Sequence, residues 1–335
     1  MSELEDLAES VVADGMSPGD GFDAALWATL AGTGLVRLTL AEEAGGSGGT
    51  HADATAVLDA VGAYGARVPL AETDVAAWLL HAAGLAVPDG PLAAVVAEPV
   101  IAGAAAHGEV AGVPYGRCAA GVAVLAGSSV VLVDPAGAGV MVTEGANLAE
   151  EPRDTLTLDG AAVAVAAAPD GAARELALRA ALARAQLLAG AARGALARSV
   201  RYAGERVQFG RPIGRFQAVQ QQLALAAAEV AAVRAAAGAA AAAADREGFD
   251  AAATALAVAA AKARAGEAAG AVARIAHQVH GAIGFTREHD LRLVTTRLWA
   301  WRDEDGAEAF WQAELGERAL AAGPDGLWPL LTGGP

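Results

Sequence analysis

The second half of this chain is dominated by long alanine-rich segments with no internal proline, and these constrain the fold more than any other feature. Residues 175–206, 216–246, 250–280 and 290–320 each read as helix. Helices of such length pack as an antiparallel bundle. The first 85 residues are also helical, with Leu26, Leu30 and Leu35, and then Ala54, Val57, Leu58 and Val61, on apolar faces. Between Pro88 and Gly160 the texture changes to short β-prone runs at 93–97, 122–125, 130–133, 140–143 and 155–158, punctuated by Gly, Pro and Asp. The expected architecture is therefore mainly α with a small β domain. Its expected parts are an N-terminal helical domain at 1–87, a middle β domain at 88–170 and a C-terminal helical bundle at 171–335.

Composition narrows the class of function. Hydrophobic residues make up 55% of the chain but aromatics only 4%, so alanine carries the apolar count and small side chains let helix axes approach closely. The formal charge of −16 repels phosphate backbones and anionic lipid, which argues against a nucleic-acid or membrane-surface partner. Cys118 is the sole cysteine and Lys262 the sole lysine. One cysteine permits no internal disulfide. The acidic N-terminus lacks a signal-peptide pattern, and apolar runs such as 235–244 are weakly hydrophobic alanine tracts, so the expected location is the cytoplasm.

Four segments invite a chemical reading. Gly45-Gly46-Ser47-Gly48-Gly49 satisfies a nucleophile-elbow pattern, but five small residues in a row do so easily and no βαβ context surrounds them. His277 and His280 form an HxxH pair without HExxH or cysteine support for a metal, so capping or packing is preferred and no metal is expected. Arg193, Arg198, Arg201, Arg206, Arg211 and Arg215 gather cations around a Gly/Pro turn between two helices. That patch suits either a phosphorylated ligand or partner carboxylates. Gln278 to Thr286 is glycine-rich at a helix end, able to approach a pyrophosphate or simply to cap the helix.

Together the last two segments carry a resemblance. Arg206 to Gln220 follows the pattern RxxFGxPIGxFQxxQ, and Gln278 to Thr286 follows QxHGxxGFT. Both resemble signatures of the acyl-CoA dehydrogenase family. Leu26-Trp27, Gly34-Leu35 and Glu42 to Gly49 resemble its entry helices and glycine loop, and Pro69 to Thr73 an actinobacterial-type branch. The resemblance implies a C-terminal four-helix bundle and FAD bound at a subunit interface. It places FAD contacts on Arg206, Phe209, Gln217, Gln278 and Gly281, with Ala282 where the family often has glycine. It further implies an acyl-CoA substrate oxidised to the trans-2-enoyl thioester, an electron-transfer acceptor, and a homodimer or homotetramer, or a heteromer with a homologous subunit.

Two departures stand out against that family. The flavin-contacting strands SEPxAGSD and WITNG have no counterpart, and the nearest region, Gly112 to Arg117, is short, which implies a shortened middle domain. The family's catalytic glutamate lies in an aromatic-Glu-Gly segment nineteen residues after the signature threonine. Here that position is Asp305, followed by Gly306, with Glu304 adjacent and pointing about 100° away if the segment is helical. The alternative base position falls near Ala180 and Ala181, which cannot abstract a proton. The base is therefore Asp305, Glu304 or absent. In the last case the chain would be a non-catalytic subunit that completes the FAD site of a heteromer.

Overall fold

A computed structural model describes residues 3–17 and 19–332; residues 1, 2, 18 and 333–335 of the expected first and last domains lie outside the described residues. The chain divides into two compact units, 1–58 with 66–180, and 59–65 with 181–335.

The first unit begins with helices α1 (Glu3–Gly15), α2 (Ala24–Gly32), the start of α3 (His51–Tyr64), and α4 (Leu70–Ala82). Asp23 sets the start of α2, accepting the Leu26 amide at 3.1 Å. The apolar faces expected from spacing are buried, with Leu26 and Leu30 at 0% exposure and Val57 at 1%. The sheet contains β1 (Leu92–Val96), β2 (Val100–Ala102), β3 (Ala105–Pro114), β4 (Gly121–Ala126), β5 (Ser129–Val133), β6 (Val140–Thr143) and β7 (Arg153–Ala167). Its order is β1-β4-β5-β7-β3-β2, with β6 on β7; only β1 and β4 pair in parallel.

Strand alternation divides the sheet's side chains between two cores. Leu92, Ala123, Leu125 and Val130 pack with α4 and the start of α5 (Ala172–Glu205). Ala93, Val122, Val124 and Val131 pack with Val110 and Val113 of β3 and Leu156 and Leu158 of β7. Two strands go beyond the expected set. β2 is three residues long, and β3 is broken by bulges after Ala106 and Val110 that interrupt its alternation. The short segment Gly112 to Arg117 ends β3 and locks it: Arg117 holds the fully buried Asp154 through its amide at 2.7 Å and its Nε at 3.0 Å. Burial would raise the Asp154 pKa, but these bonds and the Gly145 amide hold it below the ordinary value.

The second unit holds the end of α3, most of α5, and helices α6 (Gln217–Glu247), α7 (Ala252–His280), α8 (Arg292–Asp303) and α9 (Glu308–Thr332). The expected single helix at 290–320 is two helices, because the chain turns at Glu304 to Ala307 through left-handed Asp305 (φ 55°) and Gly306 (φ 91°). A second break falls at Gly323, ahead of Pro324. α7 packs against α6, α8 and α9, and 18 of its residues are buried. α6 is long and apolar enough to cross a membrane, contrary to the expectation for these alanine runs; its alanines supply that hydropathy, and eight of its residues are buried.

Helix α5 meets the end of α3 without intervening side chains. A Cβ at Gly190 would lie 2.1 Å from the Asp59 carbonyl oxygen, and one at Gly194 2.1 Å from that of Ala63. Gly190→Val should therefore cost about 3 kcal/mol in chemical denaturation, since the helices must part. In contrast, a Cβ at Gly238 in α6 meets nothing within 4 Å. Gly238→Ala should stabilise by about 0.5–1 kcal/mol through helix propensity.

Candidate functional site

Both candidate bases converge on one guanidinium. Arg184 on α5 is 5% exposed. Its Nε donates to Asp305 Oδ2 at 2.8 Å, and another guanidinium nitrogen lies 3.2 Å from Glu304 Oε2. The expected 100° divergence of Glu304 from Asp305 does not hold, because α8 ends at Asp303 and Glu304 is extended (φ −76°, ψ 148°). The backbone that aims Asp305 is fixed from both sides. Trp311 Nε1 donates to the Asp305 carbonyl at 3.0 Å, and a Cβ on Gly306 would lie 2.5 Å from that indole nitrogen.

Lys262 completes the turn. Its Nζ donates to the carbonyls of Arg302 at 3.0 Å and Gly306 at 2.6 Å, satisfying acceptors that the end of α8 leaves open. Beside it, Arg302 pairs with Glu308, and Gly266 on α7 leaves the room that Glu308 occupies. The sole lysine thus serves this turn. Sequence reasoning passed over both Arg184 and Lys262; the singularity of Lys262 was the available signal.

The FAD residues implied by resemblance fall on two segments. Arg206 leaves α5 and opens a hairpin of β8 (Val207–Gln208) and β9 (Arg211–Pro212). At its tip Phe209 (φ 53°) and Gly210 (φ 78°) are both left-handed, as a two-residue hairpin turn requires. Phe209 is 91% exposed, Arg206 is exposed, and Gln217 is the exposed first residue of α6. The second segment follows α7. Gly281 (φ 65°, ψ −145°) donates its amide to the His277 carbonyl, so this backbone caps the helix and is not a free anion donor. Ala282 is exposed on the following 3-10 turn. The segments approach one another where Tyr202, one turn before Arg206, stacks on His280 at 4.5 Å.

The arginine patch is reduced in the same way. Arg193 pairs with Asp59 at 2.6 Å, while Arg198 and Arg201 both reach Asp290 at 3.2 Å. Arg206, Arg211 and Arg215 remain exposed, Arg211 over the Phe216 ring. Gln278 and Gly281 line a groove of about 440 Å³ with Arg274, His277, Phe285 and Trp299. His280 Nδ1 lies 2.8 Å from the Ala276 carbonyl, and among the described residues no group of three or more potential metal ligands occurs. Ser47 donates to the Gly34 carbonyl at 2.6 Å, a bond that fits a structural turn.

Burial pushes the Lys262 pKa from 10.5 down to about 8. Between these values the folded chain has released a proton that the unfolded chain still holds, so this group's contribution to stability rises with pH. A neutral amine keeps two N–H donors for the two carbonyls. Relative to Lys262→Met, the wild-type chain should gain about 3 kcal/mol in denaturation free energy from pH 7 to 10.5. A difference that stays flat with pH would reject the depressed pKa.

Comparison with known proteins extends over most of the chain. Residues 2–86 match the acyl-CoA dehydrogenase N-terminal domain, and residues 171–316 the acyl-CoA dehydrogenase C-terminal domain. The acyl-CoA dehydrogenase IpdE2 of Mycolicibacterium smegmatis is 32% identical over 281 residues, 83% of this chain and 82% of that protein. Among solved structures, a steroid ACAD variant of Tcur3481-Tcur3483 is 29% identical with a TM-score of 0.84, covering 95% of this chain and 97% of the other. The ChsE4-ChsE5 complex of Mycobacterium tuberculosis is 26% identical with a TM-score of 0.85, covering 97% and 99%. On these grounds the chain belongs to the acyl-CoA dehydrogenase family of oxidoreductases.

Proposed function

We propose that the chain is a cytoplasmic FAD-dependent acyl-CoA dehydrogenase subunit that converts an acyl-CoA to the trans-2-enoyl thioester. The observation that carries this reading is Asp305. It stands at the family's base position in a turn fixed by Arg184, Lys262 and Trp311. The donor set also fits the cofactor: exposed Arg206 and Gln217, and the groove carrying Arg274, Gln278 and the buried imidazole of His277. Arg206, Phe209, Gln217, Gln278, Gly281 and Ala282 would hold FAD. When bound, FAD supplies the oxidant that accepts the β-hydrogen as hydride. Asp305 takes the α-proton, and Arg184 holds the carboxylate in place for that transfer.

An electron-transfer protein as acceptor and a homo-oligomer that completes the cofactor site belong to the same proposal. The likeness to a steroid ACAD supports testing ring-bearing acyl thioesters first. Asp305→Asn should lower turnover about 10²–10⁴-fold while leaving bound flavin intact. Glu304→Gln should stay near wild type. Unchanged turnover in Asp305→Asn would remove the assignment.

Two observations favour a second reading. Arg184 engages both carboxylates, which opposes release of Asp305 for proton abstraction, and one structural relative is the ChsE4-ChsE5 complex. On that reading the chain is a non-catalytic subunit lending its FAD residues to a homologous partner. Purification decides between them. A chain that is yellow alone, with stoichiometric flavin bleached by an acyl-CoA, supports the enzyme; flavin retained only after mixing with a co-encoded homologue, with Asp305→Asn silent, supports the partner subunit.

A further inference from the structure

Every Lys or Arg position in the chain but one is an arginine, and the exception, Lys262 on α7, is fully buried. Taking an ammonium out of water is costly, so its presence there needs a physical reason. Part of that reason is geometric. The carbonyls of Arg302 and Gly306, which bracket Glu304 and Asp305, converge on Nζ at 3.0 and 2.6 Å. A compact head with three donors meets both, where the wider planar guanidinium of arginine has a different shape. The two carbonyls do not by themselves require a charge, since a neutral amine also carries two N–H donors.

The charged groups around Nζ supply the rest of the reason. Burial disfavours the ammonium, and the Asp305 carboxylate is the strongest influence in its favour, ahead of Glu308 and Asp303, with Arg184 opposing it. The other charges on the packed helices are engaged with one another: Arg302 of α8 with Glu308 of α9, and Arg264 of α7 with Glu267 and with Glu229 of α6. Arg184 of α5 is shared between Glu304 and Asp305. Electrostatic coupling is reciprocal, so an ammonium stabilised by Asp305 stabilises the ionised form of Asp305 by the same free energy. With Nζ out of water, solvent screens that coupling weakly.

We propose that Lys262 is a positioning residue for proton abstraction, which holds the turn that aims Asp305 and keeps that carboxylate ionised until an acyl-CoA arrives. The inference rests on Asp305 being the base, as in the function proposed above. A base must be unprotonated to accept the α-proton, and Lys262 secures that state through charge while the Gly306 carbonyl fixes the geometry.

The test uses the full chain labelled with ¹⁵Nζ-lysine, in which the sole lysine gives one signal that needs no assignment. In the wild-type chain the signal should titrate at about pH 8. In Asp305→Asn the midpoint should fall by about one pH unit, because the anion favouring the ammonium is gone. Glu304→Gln, which also releases one contact of Arg184, should move it less than half as far. An unmoved midpoint in Asp305→Asn, or an equal fall in Glu304→Gln, would overturn the proposal. The second readout is the pH profile of kcat in Lys262→Met. Without the ammonium Asp305 keeps its proton to higher pH, so the acid limb should move up by about one pH unit with little change in KM. A lysine serving structure alone would lower kcat evenly across the profile and leave that limb in place, which would also refute the inference. The lysine signal requires no substitution at Lys262, so the proposal stays testable if Lys262→Met does not fold. Turnover that depends on Asp305 while the lysine midpoint ignores it refutes this inference alone; a midpoint that responds to Asp305 in a chain without turnover refutes the dehydrogenase reading alone.

Discussion

Backbone-to-backbone packing at glycine is the constraint on which the second unit depends. A chain with 4% aromatic residues fills its helical core by bringing helix axes together. At Gly62, Gly190 and Gly194 the approach is so close that an added Cβ would lie 2.1–2.2 Å from a carbonyl oxygen of the facing helix. With α5 seated in this way, Asp59 receives Arg193 and Arg234, and the Ala63 carbonyl receives Arg198. The scarce cations thereby become cross-links within the unit.

The same economy governs the turn that carries Glu304 and Asp305. Three groups from different helices define it: Arg184 from α5, Lys262 from α7 and Trp311 from α9. Each meets backbone or carboxylate atoms that the break between α8 and α9 leaves open. Removing one partner of a buried charged pair leaves the other uncompensated, which makes such a cluster sensitive to single substitutions. Activity and stability are therefore expected to change together at Arg184 and Lys262, whereas the exposed hairpin from Arg206 to Pro212 has no such buried support around Phe209.

Much of the architecture was legible in the sequence. The helices of the second half and five of the seven main-sheet strands were visible because alanine propensity, alternation and turn residues each act over a few neighbouring residues. β3 was hidden by glycines and two bulges that interrupt alternation, and β7 continues well beyond the expected run because pairing with β3, β5 and β6 extends it. Of the six arginines gathered around the signature turn, Arg193, Arg198 and Arg201 proved to be ion-paired in the fold. Their partners Asp59 and Asp290 are remote in sequence, so local charge counting could not separate a ligand patch from internal pairing.

The sequence by itself determined the helical and β zones, the acidic and lysine-poor character, and the two signature segments from which family membership was inferred. These follow from residue type and spacing along the chain. Only the tertiary structure decided that Glu304 and Asp305 share Arg184, that Lys262 caps their turn, that Gly281 closes α7 with its own amide, and that His277 lies buried between aromatic rings with no hydrogen-bond partner among the described residues. Each of these depends on which atoms of distant segments meet and which are removed from water, and that is fixed by packing.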